Sequence, residues 1–218
     1  MNCIKAIIFD NEWVIVKNDW NNVSQLACPV LGIEPPFDGK SFKKALSCGD
    51  EKLLGRYSRG EMDSECFWKQ VMMHFNSEVS DHKIKKLQDG MAQLTTEVDP
   101  DAIQVLQNLK ESGYRLFMLS NSNADLNKGN RERNDYFLLF EKCYFSFEMG
   151  CRKPEDEAYE RVLQENNLQA SECLFIDDKE ENLEAAKARG INTFWHKIDE
   201  GDPLPEKLAF LLDGQAEP

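Results

Sequence analysis

Apolar residues along this chain fall into two textures. The first is a set of short runs: Ala6-Ile7-Ile8-Phe9, Arg115 to Leu119, 142 to 146, Cys173-Leu174-Phe175-Ile176, and Asn192 to His196, of which 142 to 146 and Asn192 to His196 are strand candidates of mixed character and the others apolar. Runs of this length, without polar alternation, are what strands buried on both faces require. The second texture is helical spacing, and it fills residues 20 to 92. Trp20, Val23, Leu26, Ala27 and Val30 recur at that spacing, then Leu53, Leu54 and Tyr57, then Phe67, Val71 and Phe75, and finally Ile84, Leu87 and Met91. Gly32 with Pro35-Pro36, Gly49 and Gly60 punctuate the region, which predicts a four- or five-helix unit without strands. Residues 13 to 19 read as a connection into it.

From residue 99 the two textures alternate. Asp99-Pro100 predicts a helix cap with proline in the first turn, Ile103, Leu106 and Leu109 facing inward, and Gly113 as the stop. A second helix is expected from Pro154 to about Asn166, burying Ala158, Val162 and Leu163, and a third around Leu183, Ala185 and Ala186, closed by Gly190. Strand and helix in alternation predict an α/β fold, a doubly wound parallel sheet with helices on both faces. The helical unit then interrupts the chain after the first strand. The division is 1–18 with 93–218 for the sheet domain and 19–92 for the inserted helices, with a frayed tail at 214–218.

Composition changes this picture little, but it narrows function. The 218 residues suit one domain with an insertion. No apolar run approaches a membrane span, and the N-terminus runs directly into the first strand without space for a signal peptide. The seven cysteines are scattered singly with no close pair, the pattern of reduced thiols in a cytoplasmic protein. A net charge of −13 argues against nucleic acid as a partner, because phosphate backbones demand basic stripes. It leaves room for a small phosphorylated molecule held by one lysine or a metal ion.

Candidate chemistry sits where the apolar runs stop. The first ends in Asp10, with Glu12 two residues on. The second ends in Ser120-Asn121. Beyond the third lies Gly150-Cys151-Arg152-Lys153-Pro154. The fourth ends in Asp177-Asp178, with Asn182 a turn later. In a parallel sheet these ends share one edge, where α/β proteins bind ligands. Converging carboxylates repel one another unless a cation lies between them, and an all-oxygen site suits Mg²⁺. A hydroxyl, an amide and a lysine opposite that metal form a phosphate cradle. Taken singly, each residue also has a plain structural reading: Ser120 as a turn residue, Lys153 as a surface lysine, Asp177-Asp178 as helix caps.

In their order and placement, these motifs resemble the haloacid dehalogenase (HAD) superfamily of phosphohydrolases, a family with a Rossmann-like core and, here, an all-helical cap inserted after the first motif, at the C1 position. Arg152-Lys153-Pro154, the run Phe175 to Asn182, Leu119 to Asn123 and Tyr57-Ser58-Arg59-Gly60-Glu61 are similar to the branch of bacterial sugar-phosphate phosphatases, such as α-glucose-1-phosphatase. The resemblance implies Mg²⁺-dependent hydrolysis of a small phosphorylated metabolite by a monomer or homodimer. Asp10 becomes the nucleophile and a metal ligand. Glu12 gives its carbonyl to the metal and serves as acid and base through its side chain. Ser120 and the Asn121 backbone bind phosphoryl oxygens, and Lys153 neutralises charge between phosphate and nucleophile. Asp178 is a direct metal ligand, Asp177 a direct or water-mediated one, and Asn182 orients them.

Two departures bear on turnover. The family usually carries Asp where this chain has Glu12, and commonly Gly where it has Trp13. One extra methylene moves the acid past the leaving oxygen, and a misplacement of about 1 Å costs roughly a hundredfold in rate. A catalytically weak phosphate-binding relative is therefore one alternative; a 2-haloacid dehalogenase or a phosphomutase are others, the dehalogenase leaving Asp177-Asp178 unexplained. In the helical unit, Arg56, Arg59, Trp68 and His74 are within plausible reach of a substrate, with Trp68 read rather as core and the arginines as solvent-facing.

Overall fold

A computed structural model describes residues 4–34, 38–47 and 52–198, together with Leu204 and Leu208. The expected frayed tail at 214–218 and the turn signals Pro35-Pro36 and Gly49 lie outside the described residues. Every anticipated apolar run is a strand. β1 (Ala6–Phe9), β4 (Arg115–Ser120), β5 (Lys142–Phe145), β6 (Cys173–Asp177) and β7 (Asn192–Trp195) form one sheet in the order β5-β4-β1-β6-β7, with every pair parallel. β1 therefore lies at the centre, flanked by β4 and β6. Its register sets Phe9 against Met118 on one side and Ile176 on the other, so Asp10, the next residue, comes level with Asp177 at the end of β6, while β4 runs two residues past Met118 to Ser120.

Side-chain alternation splits the central strands between two hydrophobic layers. Ile7, Phe9, Leu116, Met118, Leu174 and Ile176 point into one cluster. It is completed by Val105, Leu106 and Leu109 of α6 (Pro100–Glu111), by Tyr136, Phe137 and Phe140, and by Leu204 and Leu208. Ala6, Ile8, Phe117, Leu119, Cys173 and Phe175 point into the opposite cluster. There they meet Ala158, Tyr159 and Val162 of α9 (Asp156–Glu165) and Leu183 and Ala186 of α10 (Glu180–Ala188). Coverage on both faces is why these strands carry almost no polar residues.

Between β1 and β4 the chain builds the helices α1 (Trp20–Leu31), α2 (Gly39–Ser47), α3 (Leu53–Ser58), α4 (Ser64–His74) and α5 (Asp81–Ala92). They share a hydrophobic cluster of their own around Phe42, Tyr57, Phe67, Trp68 and Met91. Asp19 and Asp63 cap α1 and α4 by accepting the N–H groups of Asn21 and Cys66. Three features go beyond the sequence expectations. The connection at 13–19 contains β2 (Val16–Asn18), which pairs antiparallel with β3 (Thr95–Val98) where the chain enters and leaves the helical layer. A helix α7 (Ala124–Arg133) follows β4 directly, capped by the Asn123 side chain on the Leu126 N–H. The short α8 (Ser146–Met149) follows β5, and α9 begins at Asp156, two residues beyond Pro154.

α7 joins the two parts. Leu126 belongs to the hydrophobic cluster of α1–α5. Gly129 lies so close to the end of α5 that a Cβ there would stand 2.1 Å from the Ala92 carbonyl oxygen; only glycine permits that approach. Among the described residues no helix is long and apolar enough to cross a membrane.

Candidate functional site

Asp10 is the first residue past β1 and is 3% exposed. Its N–H donates to the Ile176 carbonyl at 2.8 Å, which pins it to β6. Its Oδ1 accepts the Asn11 N–H at 2.7 Å and lies 2.8 Å from Lys153 Nζ. Burial pushes the Asp10 carboxyl up to about 7, and the Asp177 carboxylate adds to that push, while the Lys153 and Lys179 ammonium groups oppose it.

The loop after Asp10 is folded tightly on itself. The Asn11 carbonyl accepts the N–H groups of Ile15 and Val16, and the Trp13 N–H donates to the Val16 carbonyl at 2.7 Å. Trp13 has φ +63°, the left-handed conformation that costs a residue with a Cβ about 1–2 kcal/mol. That is the physical reason glycine is common at this position in the resembled family. Here tryptophan adopts the same backbone, its ring carrying the Lys197 ammonium 5.8 Å from the centroid. The Asn11 side chain accepts the Tyr136 hydroxyl at 2.9 Å, which anchors the loop from the helix-covered face.

At the end of β4, Ser120 is buried and its Oγ has no hydrogen-bond partner among the described residues. An orphaned buried hydroxyl costs about 1–3 kcal/mol, so this one is poised for a ligand acceptor. Asn121 brackets the Lys153 backbone: its Oδ1 accepts the Lys153 N–H at 2.9 Å and its Nδ2 donates to the Lys153 carbonyl at 2.8 Å. Lys153, followed by a cis peptide to Pro154, is 1% exposed. Its ammonium stands between Asp10 and Asp177, 2.8 and 2.7 Å away.

β6 delivers the acidic pair. Asp177 is fully buried and fully engaged, accepting from Lys153 at 2.7 Å, from the Lys179 N–H at 2.8 Å and from Asn182 Nδ2 at 2.9 and 3.0 Å. Asp178 Oδ1 is buried with no hydrogen-bond partner among the described residues. Burial, first, pushes the Asp178 carboxyl above its ordinary range. Asp10, Asp177 and Asp178 offer carboxylate oxygens within 4.8 Å of one another. Three such oxygens, one of them unsatisfied, fit a hard divalent cation.

Asp10, Lys153, Asp177, Asp178 and Asn182 thus meet at one sheet edge. Glu12 does not join the carboxylate cluster; its side chain is half-exposed and lines a cleft of about 290 Å³. This cleft runs from Glu12, Asn121 and Lys179 to Trp20, Lys43 and Leu54 of the helical layer. A larger hollow, about 560 Å³, is lined by Pro29, Phe75, His82 and Lys86 and by no residue of the strand ends; the chemistry is not there. Trp68 is buried, its indole N–H donating to Asp125 at 2.9 Å, and Arg59 pairs with Glu155. Sequence reasoning passed over Lys179. Burial lowers its affinity for a proton, but the surrounding Asp10, Glu12, Asp178 and Asp177 outweigh that and hold the ammonium above its ordinary range.

Residues 4–190 match the family of haloacid dehalogenase-like hydrolases. A D-ribitol-5-phosphate phosphatase of Bacteroides thetaiotaomicron is 26% identical over 219 residues, which is 96% of this chain and 99% of that protein. A sesquiterpene phosphatase of Aspergillus oryzae is 38% identical over 94 residues, 42% of this chain and 48% of that protein. An enolase-phosphatase E1 of Marinobacter nauticus is 32% identical over 117 residues, 52% of this chain and 49% of that protein. For these last two, the match spans about half of the relative's length. Among solved structures, an HAD family enzyme from Bacteroides thetaiotaomicron superposes with a TM-score of 0.79 at 22% identity, over 95% of this chain and 99% of that one. The same enzyme in complex with magnesium and inorganic phosphate gives 0.76 at 22% identity, over 90% and 96%.

Proposed function

The chain belongs to the haloacid dehalogenase-like hydrolases, and on that premise we propose that it is a Mg²⁺-dependent phosphatase acting on a small phosphorylated metabolite through an aspartyl-phosphate intermediate. The observation that carries this reading is the buried Asp10 carboxylate, set against the Lys153 ammonium and beside Asp177 and Asp178. Relatives with phosphatase names support it, and the one matched along its whole length is named for a polyol phosphate, which favours a sugar or polyol phosphate as substrate.

In this reading one Asp10 carboxylate oxygen attacks phosphorus and the ester P–O bond breaks. Glu12, facing the cleft, protonates the departing oxygen, then takes a proton from the water that attacks the aspartyl phosphate. Inorganic phosphate leaves and Asp10 is regenerated. The Ser120 hydroxyl donates to a phosphoryl oxygen, and Lys153 holds Asp10 in place while compensating the charge that gathers on the phosphoryl group. Asp177, bound by Asn182 and the Lys179 N–H, fixes Lys153. Asp10, Asp178 and the Glu12 carbonyl would hold Mg²⁺, with Asp177 contributing directly or through water; when bound, the ion draws charge from the phosphoryl oxygens. Residues 19–92 serve as a cap that closes over the cleft and selects the substrate.

The test is hydrolysis of a chromogenic phosphate ester with and without Mg²⁺. Activity should require the ion, and Asp10→Asn should lower kcat by roughly a thousandfold or more. Equal rates in parent and variant would remove Asp10 as the nucleophile. A second reading, a relative that binds phosphate but turns over slowly, rests on Glu12 in place of the shorter acid.

A further inference from the structure

The cleft carries a charge that the catalytic reading leaves unexplained. The chain has a net charge of −13, yet among the described residues four of the five charged side chains lining the cleft are basic: Lys43, Lys52, Arg152 and Lys179 against Glu12. Lys179 is balanced by the site carboxylates. Among the described residues none of the other three makes a salt bridge, although Arg152 feels the more distant charge of Glu181. Lys43, on α2, is seated over the Trp20 ring with its ammonium 5.1 Å from the centroid. Lys52 precedes α3 in a left-handed conformation, φ +42°.

Arg152 is the most informative of the three. It is half-buried where α3 faces the sheet domain, with a guanidinium nitrogen 3.4 Å from Ser58 Oγ and 3.7 Å from where a Cβ on Gly55 would stand. The neighbouring carboxylate, Glu155, is engaged by the Arg59 side chain and by the backbone N–H of Arg152. Burial, then the charge of Arg59, hold the guanidinium below its ordinary range, against the weaker pull of Glu181. A partly desolvated guanidinium of this kind gains most from a carboxylate or phosphate.

We propose that Lys43, Lys52 and Arg152 form a seat for a second anionic group of the substrate, a carboxylate or a second phosphate, where the cleft meets the helical layer. The assignment rests on the phosphatase reading and adds to it the substrate class: a short phosphomonoester whose other end is also charged. A cleft of about 290 Å³ is at the small end of ligand sites, which limits that skeleton to a few carbons.

Matched pairs of esters test this. Glycerol 3-phosphate and 3-phosphoglycerate differ by a terminal carboxylate; glycerol 3-phosphate and glycerol 1,3-bisphosphate differ by a second phosphate. kcat/KM is measured with Mg²⁺, and Kd is measured by calorimetry on the Asp10→Asn variant, where no turnover is needed. The doubly charged member of at least one pair should be preferred by about tenfold or more, and which pair shows it identifies carboxylate or phosphate. Arg152→Met should collapse that ratio, as should the double variant Lys43→Met/Lys52→Met, whose exposed positions do not threaten folding. No preference in the parent protein, or a preference that survives both variants, overturns the seat. Ester hydrolysis without preference removes the seat and leaves the phosphatase reading. Preferential binding without hydrolysis of any ester does the reverse.

Discussion

Asp10 is costly to keep ionised where it stands. Burial alone drives its carboxyl toward the protonated form, and in the proposed mechanism a protonated Asp10 could not attack phosphorus. The Lys153 ammonium at 2.8 Å works against that penalty, and it can do so only because Asp177 holds it from the other side at 2.7 Å. Glu12 is in a different situation. It lines the cleft, so its reach can be tuned by length alone. Glu12→Asp retracts the carboxyl by one methylene toward the position that the resembled family uses. The expected outcome is a rise in kcat on a chromogenic ester of about tenfold or more, up to the roughly hundredfold by which an ångström of misplacement matters. An unchanged or lower kcat would mean that the cleft is shaped around glutamate. Trp13 does not carry the same doubt, since its backbone already adopts the left-handed turn at φ +63°.

Two contacts between elements hold the site together. Asn121, just past β4, fastens the segment after α8 through both backbone groups of Lys153. Asn121→Ala leaves an N–H and a carbonyl without their partners, and should cost about 1–3 kcal/mol in chemical denaturation. It should also lower kcat about tenfold or more as Lys153 loosens, with a smaller change in KM. Asp125 of α7 performs a similar task against the helical layer. It accepts the Ser64 hydroxyl at 2.7 Å and the Trp68 indole N–H at 2.9 Å. Asp125→Ala strands a buried indole N–H, so a loss of about 2–3 kcal/mol is expected. If denaturation midpoints are unchanged, this contact does not hold the two layers together.

At the scale of the whole molecule, three carboxylates within 4.8 Å of one another could hold a divalent cation, and the proposed site predicts that the folded chain binds one. A ligand that binds the native state alone stabilises it by about 2.7 kcal/mol at a hundredfold excess over Kd. For a chain of this size that corresponds to a rise of about 5–10 °C in melting temperature. Saturating Mg²⁺ should produce such a shift, and Asp178→Asn, which removes the carboxylate with an unsatisfied oxygen, should abolish it. A shift that persists in the variant would place the ion elsewhere. This measurement does not depend on turnover, so it separates binding of the ion from catalysis.

What the sequence by itself determined is local in origin. Strands buried on both faces must be apolar throughout, so the three central strands were visible as runs, and their stopping points marked Asp10, Ser120 and Asp177; the edge strands β5 and β7 carry polar residues and showed as weaker candidates. Caps such as Asp99 were legible because they act on the next turn. Residues whose placement depends on distant chain were not legible. α7 carries no apolar stripe, since its buried face includes Asn127, Gly129 and Asn130, a surface defined by the close approach of Ala92. β2 and β3 have three and four residues, too few for a pattern, and form by pairing across the helical layer. Lys179, Lys43, Lys52 and Arg152 look like ordinary charged residues in the sequence; only tertiary packing turns them into one cleft. A lysine's neighbours in the chain say nothing about which wall it faces. That the strand ends converge follows from the shared register of β4, β1 and β6, and hydrogen bonding between strands decides that register.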